Sequence, residues 1–169
     1  VDVLVEPALP TDEVEILRLR GEAEDWLASR GIVQWGHGEV TPADIAKQIR
    51  NGEWSVVRRQ DALVGALRLL RSDRPLWPDD GLAAAYVHGM MIDRTQAGQR
   101  LGTSMLAWAH GHALAAGAAF LRLDCVESNQ RLRDYYGAQG FTDVGRHDFE
   151  GPWSSVVLLQ KLVSGERTT

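Results

Sequence analysis

The stretch Tyr86-Val-His-Gly-Met-Met-Ile-Asp-Arg-Thr-Gln-Ala-Gly-Gln-Arg-Leu-Gly-Thr103 decides the fold. Its apolar first half reads as a strand that ends at Ile92. A polar turn over residues 93–96 follows, and Gly98 and Gly102 then flank the start of a helix predicted over 98–116, with Gly117 as its stop. Glycines here let the backbone come close to a ligand, and the first amides of a helix have no partners within it. Together with the helix dipole, such amides suit an anion such as a pyrophosphate. The same pattern by itself also describes a plain turn with a packing contact. The spacing excludes a P-loop and gives no support to a dinucleotide fingerprint. Gly89, inside the strand, marks either a packing contact or a bulge. A bulge would free backbone groups for an extended, amide-bearing ligand.

Outward from this stretch the pattern is mixed α/β. A short strand is predicted at 1–5. A helix follows with Thr11 as its cap and Val14, Leu17 and Leu27 on its apolar stripe, closed by Gly31. Thr41-Pro42 opens a second short helix through Ile49. Strands over 54–58 and 63–70 form a hairpin around a polar turn. After the central strand (83–92) and helix come a strand at 120–126, a helix at 129–139 closed by Gly140, and two terminal strands at 142–149 and 155–162. The strand-helix-strand crossover in the middle implies parallel neighbours. Residues 1–163 read as one domain and 164–169 as a frayed tail.

The chain has 169 residues, with 18 Lys plus Arg against 23 Asp plus Glu, a formal net charge of −5. A domain-wide basic field for nucleic acid is absent. Residues 101–121 carry no Asp, Glu, Lys or Arg, yet Thr103, Ser104, two histidines and three glycines argue for a helix running into a buried strand, not a membrane span. Residues 1–10 are too short and too acidic for a signal peptide. The lone Cys125 excludes an internal disulfide and a cysteine-based zinc site, and fits a reducing cytoplasm. His110 and His112, two apart on a helix, do not share a face, so no metal site is expected.

A second block completes the picture. Leu121-Arg-Leu-Asp-Cys-Val-Glu-Ser-Asn129 is followed by Tyr135-Tyr136-Gly-Ala-Gln-Gly140-Phe141. The two blocks, in this order and separation, resemble the GNAT superfamily of acyl-CoA-dependent N-acetyltransferases, and the resemblance covers nearly the whole chain. The family pattern Arg/Gln-x-x-Gly-x-Gly/Ala falls on 97–102. Gly102 matches, whereas Ala97 and Arg100 depart from it. The resemblance implies a mixed, mostly antiparallel central sheet with a β-α-β acyl-CoA-binding core and flanking helices. It also implies transfer of an acetyl group from acetyl-CoA to an amine through a tetrahedral intermediate.

It further implies residue roles. Gly98, Gln99, Arg100, Leu101, Gly102 and Thr103 hold the cofactor phosphates, and the backbones of Met91 and Ile92 line the pantetheine arm and thioester carbonyl. Asn129 contacts the cofactor, although it is equally an ordinary helix cap. Arg100 either adds charge near the phosphates or points to solvent. Tyr136 matches the tyrosine that serves the departing sulfur; a phenol is a neutral donor at neutral pH. Its alternative is a packed aromatic. Tyr135 is assigned to packing. His88 falls where arylalkylamine N-acetyltransferases carry a histidine proposed to relay the amine's proton; imidazole can accept it directly or through water. Its alternative is a structural histidine.

The acceptor should meet the loops holding Trp35 and His37, then Trp77, Asp79 and Asp80, then Glu150 and Trp153. Aromatics with carboxylates suit a cationic amine; the alternative is core lids and solvated surface. A small-molecule amine is the expected partner, without nucleic acid or membrane, for a monomer or homodimer. A peptide acceptor, or a non-catalytic CoA-binding module, are the competing readings.

Overall fold

The computed structural model describes residues 3–35, 38–150 and 154–163. The strands are β1 (Val5–Pro7), β2 (Trp54–Arg59), β3 (Ala62–Leu70), β4 (Ala84–Ile92), β5 (Phe120–Val126), β6 (Thr142–His147) and β7 (Val156–Leu162); the helices are α1 (Glu13–Ala28), α2 (Pro42–Arg50), α3 (Leu101–Ala115) and α4 (Gln130–Ala138). The strands form a seven-stranded sheet in the order β1-β2-β3-β4-β5-β7-β6. The β4–β5 pair is parallel, and β1–β2, β2–β3, β5–β7 and β6–β7 are antiparallel. The mixed, mostly antiparallel sheet expected from the sequence is therefore present. Residues 101–121, free of charged side chains, are indeed helix then strand, and no helix among the described residues is long and apolar enough to cross a membrane.

The chain divides into two compact units, one of residues up to Leu69 with His88–Leu106, the other of Leu70–Val87 with the remainder. In the first, β2 and β3 pair through a two-residue turn in which Gln60 and Asp61 both take positive φ, 49° and 64°. That is the handedness a tight hairpin requires. Ile16 and Leu19 of α1, Ile45 and Ile49 of α2, Trp54, Val56, Leu63, Ala66 and Met91 form one buried cluster. The stripe of α1 differs from the expected one. Leu27 is buried and Leu17 partly so, but Val14 is 69% exposed, because it lies two residues, about 200° around the helix, from the buried Ile16. Nor does Thr11 cap α1. Pro10–Asp12 form a single 3-10 turn, and the Asp12 carboxylate takes the Leu9 amide at 2.7 Å and the Arg58 guanidinium at 2.7 Å. Thr41 does cap α2, in a reciprocal arrangement with Asp44. The first strand starts later than expected, at Val5, because its register is set by β2 from Val57 to Ser55. Pro7 is tolerated there because β1 is the sheet edge.

Two close approaches shape this unit. A Cβ on Gly65 would stand 3.0 Å from the Met105 sulfur and 3.5 Å from Leu101 Cδ2, so the first turns of α3 lie directly on β3. A Cβ on Gly89 would stand 3.1 Å from Cη2 of Trp54, and Gly89 has φ +54°. This left-handed residue breaks the pleat of β4. In a regular strand Tyr86, His88, Met90 and Ile92 would share one face; here that face is interrupted, with Tyr86 and Met91 buried and His88, Met90 and Ile92 half-buried.

In the second unit β7 runs between β5 and β6. It pairs with β5 from Phe120↔Leu162 to Val126↔Val156, and with β6 across a register shift between Asp143 and Gly145. The parallel ladder of β4 on β5 runs from Ala84↔Phe120 to Tyr86↔Arg122. Asn129 caps α4, its Oδ1 accepting the Leu132 amide at 3.2 Å. The expected tail at 164–169 lies outside the described residues.

Replacing Gly89 by alanine forces a side chain into the left-handed region and against the Trp54 indole. Gly89→Ala is expected to destabilise the protein by at least about 1 kcal/mol. Chemical denaturation, comparing midpoints at an unchanged slope, checks this.

Candidate active site

The end of β4 is tied down before the chain turns. The Asp93 amide donates to the Val64 carbonyl at 2.9 Å. The Asp93 carboxylate accepts from the amide (2.9 Å) and hydroxyl (2.7 Å) of Thr95 and from Arg18 at 3.5 Å. These bonds, Thr95 first and then Arg18, hold the carboxyl below its usual range. A 3-10 turn, Arg94–Gln96, follows, with the Arg94 guanidinium 4.0 Å above the Trp26 ring. Next come two left-handed residues, Gly98 at φ 81° and Arg100 at φ 59°. They delay α3 to Leu101, three residues later than expected, because left-handed residues cannot continue a right-handed helix. Arg100 stands where the family pattern has glycine, and its backbone conformation is one that glycine adopts without strain. Ser104 bonds back to the Arg100 carbonyl at 3.1 Å. The amides of Leu101, Gly102 and Thr103 precede the point at which intrahelical acceptors become available.

One residue of this neighbourhood escapes a sequence reading. Arg59, at the end of β2, donates through Nη1 to the carboxamide of Gln96 at 2.6 Å and to that of Gln99. Nothing local signals this, since the partners lie 37 and 40 residues on.

Of the strand residues, His88 is half-buried immediately before Gly89, Met91 is 3% exposed in the core cluster, and Ile92 is half-buried. In the second unit Asn129 and Tyr136 are buried. Tyr136 meets Phe141 edge-on with centroids 5.8 Å apart, and half-buried Tyr135 at 5.5 Å. Burial first, and then the neighbouring Cys125, Tyr135 and Asp124, push its phenol well above the ordinary tyrosine value. Its hydroxyl is therefore held in the protonated form. Cys125 is buried too, and burial pushes its thiol up to about 12.

The residues expected to meet an acceptor have other partners. Trp35 packs on the core cluster, with the Arg20 guanidinium 4.9 Å from its ring. Asp79 faces Arg74 at 3.4 Å on the exposed surface. Asp80 pairs with Arg122, a β5 arginine that is 2% exposed. Arg122 also donates to the Tyr86 hydroxyl at 3.2 Å and to Gln160 at 3.3 Å, and lies 4.7 Å from the Trp77 ring. Trp77 is buried, and its Nε1 has no hydrogen-bond partner. Asp80 thus anchors the 71–83 segment onto β5. His37 and Trp153 lie outside the described residues.

Residues 20–141 match the model of the Acetyltransferase (GNAT) family, and the chain is 32% identical over 147 residues to the uncharacterized N-acetyltransferase YesJ of Bacillus subtilis (strain 168), covering 82% of this chain and 81% of that one. The chain belongs to the GNAT acetyltransferase family. A GNAT family acetyltransferase from Listeria monocytogenes 4b F2365 superposes with a TM-score of 0.77 at 30% identity, covering 95% of this chain and 94% of that one. Another from Streptococcus agalactiae 2603 gives 0.81 at 20% identity, with 96% of both chains covered. YncA of Salmonella typhimurium, a putative acetyltransferase solved with its cofactor acetyl-CoA, shares the fold at TM-score 0.73 and 13% identity, covering 100% of this chain and 98% of that one. The expectation of a GNAT acetyltransferase, drawn from the β4–α3 stretch and the β5–α4 block, is met.

For this GNAT chain the Asp80–Arg122 pair has a measurable signature. Arg122 first, then the Leu82 amide, hold the Asp80 carboxyl below the usual range. A carboxyl depressed on folding stabilises above its unfolded value, about pH 4, and loses that contribution as pH falls through the lower folded value. Asp80→Asn, which leaves a buried guanidinium without its counter-charge, is expected to lower Tm by several degrees at neutral pH. The gap to wild type should close as melts are repeated towards about pH 3.

Proposed function

We propose that this GNAT member moves an acetyl group from acetyl-CoA to the primary amine of a small molecule by direct attack on the thioester. The observation that carries the cofactor assignment is the turn into α3. Left-handed Gly98 and Arg100 bring the chain to a helix whose first amides, on Leu101, Gly102 and Thr103, lack intrahelical acceptors. These residues, with Gln99, would hold the pyrophosphate. Main-chain groups of Met91 and Ile92 would line the pantetheine arm, and Asn129 would add a side-chain contact. The acetyl-CoA-bound Salmonella typhimurium neighbour supports this assignment. Bound acetyl-CoA would supply an activated acyl group: the amine adds to its carbonyl to form the C–N bond, and the C–S bond breaks when the tetrahedral adduct collapses, releasing the thiol.

The protein's task is proton placement. The amine attacks only when neutral, and His88 accepts its proton, directly or through water. Negative charge growing on the carbonyl oxygen is met by a main-chain N–H of β4 near Met91 and Ile92. Tyr136 offers its hydroxyl to the departing sulfur. Because burial disfavours the phenolate, it acts more as a hydrogen-bond donor than as a strong acid. The small-molecule assignment rests on the exposed acid Glu150, which favours a cationic acceptor; Trp35, Trp77, Asp79 and Asp80 are already engaged.

Acetyl-CoA at about a hundred times its Kd is expected to stabilise by roughly 2.7 kcal/mol, raising Tm by roughly 5–10 °C. Absence of a shift at saturation would remove the cofactor assignment. Thiol release with an amine panel and a peptide panel then decides the acceptor. Turnover with peptides alone replaces the small-molecule reading, and binding without turnover replaces both by a non-catalytic module.

The two residue roles separate kinetically. Tyr136→Phe is expected to lower kcat by about 100-fold while leaving the KM for acetyl-CoA within about two-fold. His88→Gln is expected to lower kcat and flatten its rise with pH. An unchanged pH profile in His88→Gln would remove it as the base.

A further inference from the structure

Among the described residues, most arginines of the first unit face a carboxylate or an aromatic ring, and Arg59 faces neither. Arg18 pairs with Glu15, Glu22 and Asp93; Arg20 with Glu24 and Glu39; Arg58 with Glu6 and Asp12; Arg68 with Glu53. Arg30 and Arg94 lie 4.5 and 4.0 Å from the Trp26 ring. Arg59 instead spends its guanidinium on two neutral carboxamides, those of Gln96 and Gln99. Both belong to the turn that leads into α3. An open depression of about 610 Å³ lies at this place, lined by Arg59, Gln60, Asp93, Thr95 and Gln96 among others. The one carboxylate among these, Asp93, is already occupied by Thr95 and Arg18.

We propose that Arg59 is a cofactor-binding residue that this chain uses for a phosphate of acetyl-CoA, trading its carboxamide partners for a phosphate oxygen when the cofactor binds. The inference rests on the cofactor assignment above. A guanidinium–phosphate contact joins opposite charges and can be bidentate, whereas each carboxamide offers only a neutral acceptor, so the exchange favours the phosphate. Ala97 stands where the family pattern has Arg or Gln and carries no side-chain donor, so a guanidinium from β2 can serve at that position. The hairpin turn at Gln60 and Asp61 returns β3 immediately after Arg59, which places the guanidinium on a rigid strand end instead of a mobile loop.

The test compares wild type, Arg59→Gln and Arg59→Lys by calorimetric titration with CoA, 3′-dephospho-CoA and pantetheine, on proteins with matched melting temperatures. Arg59→Gln is expected to weaken CoA about ten-fold and to leave pantetheine unchanged. Arg59→Lys is expected to recover part of the loss. Loss shared by CoA and dephospho-CoA assigns the contact to the pyrophosphate; loss confined to CoA assigns it to the 3′-phosphate. The affinity of wild type for CoA should also fall more steeply with salt than that of Arg59→Gln. Equal weakening of pantetheine, or no weakening of CoA, overturns the role. A wild type that binds none of the three would instead refute the cofactor assignment itself.

Discussion

Gly89 lies under the Trp54 indole with a left-handed backbone, and much of the first unit depends on that contact. Trp54 is itself immobilised. Its ring packs among Ile45, Ile49 and Val56, and its Nε1 donates to Gln48 at 2.8 Å. The position where β4 leaves its regular pleat is thus set by the core and not by the loop that follows. Beyond Gly89 the strand turns Met91 inward, delivers the Asp93 amide to Val64, and hands the chain to the turn before α3. A strand that kept its pleat through residue 89 would present the opposite side chains to the core from there on.

Electrostatics in the first unit follow the same economy. An acidic chain places many of its carboxylates against arginines, so that the arginines of α1 and of β2 are matched by acids. Near the start of α3 stand exposed Arg100, Arg59 and the helix amides. Keeping arginine in a left-handed conformation at residue 100 costs about 1 kcal/mol. Backbone strain of this kind concentrates where a site is being shaped.

Most of the architecture was legible in the sequence, because alternation, caps and glycine stops are local signals. β5 was read to the residue, and Thr41 and Asn129 cap the helices they were expected to cap. The misreadings come from signals that are not local. Val14 looked like core because apolar character was weighed without the phase of the helix. The start of α3 was set too early because two glycines at 98 and 102 conceal a left-handed arginine between them. Asp80 resembled a solvated acceptor contact; its arginine lies 42 residues away on another strand. Arg59 carries no local signal either, because the residues it bonds lie 37 and 40 positions on, in the turn before α3. The family resemblance supplied what periodicity could not, since it fixes a relation between two blocks that no single block carries.

The lone cysteine closes the chemistry in an unexpected way. Cys125 is buried in β5, and its thiol is pushed up to about 12, so it contributes almost no thiolate at neutral pH. Burial and a scarce thiolate make Cys125 a slow partner for a thiol reagent, so an assay that reads released cofactor sulfur meets little background from the folded protein.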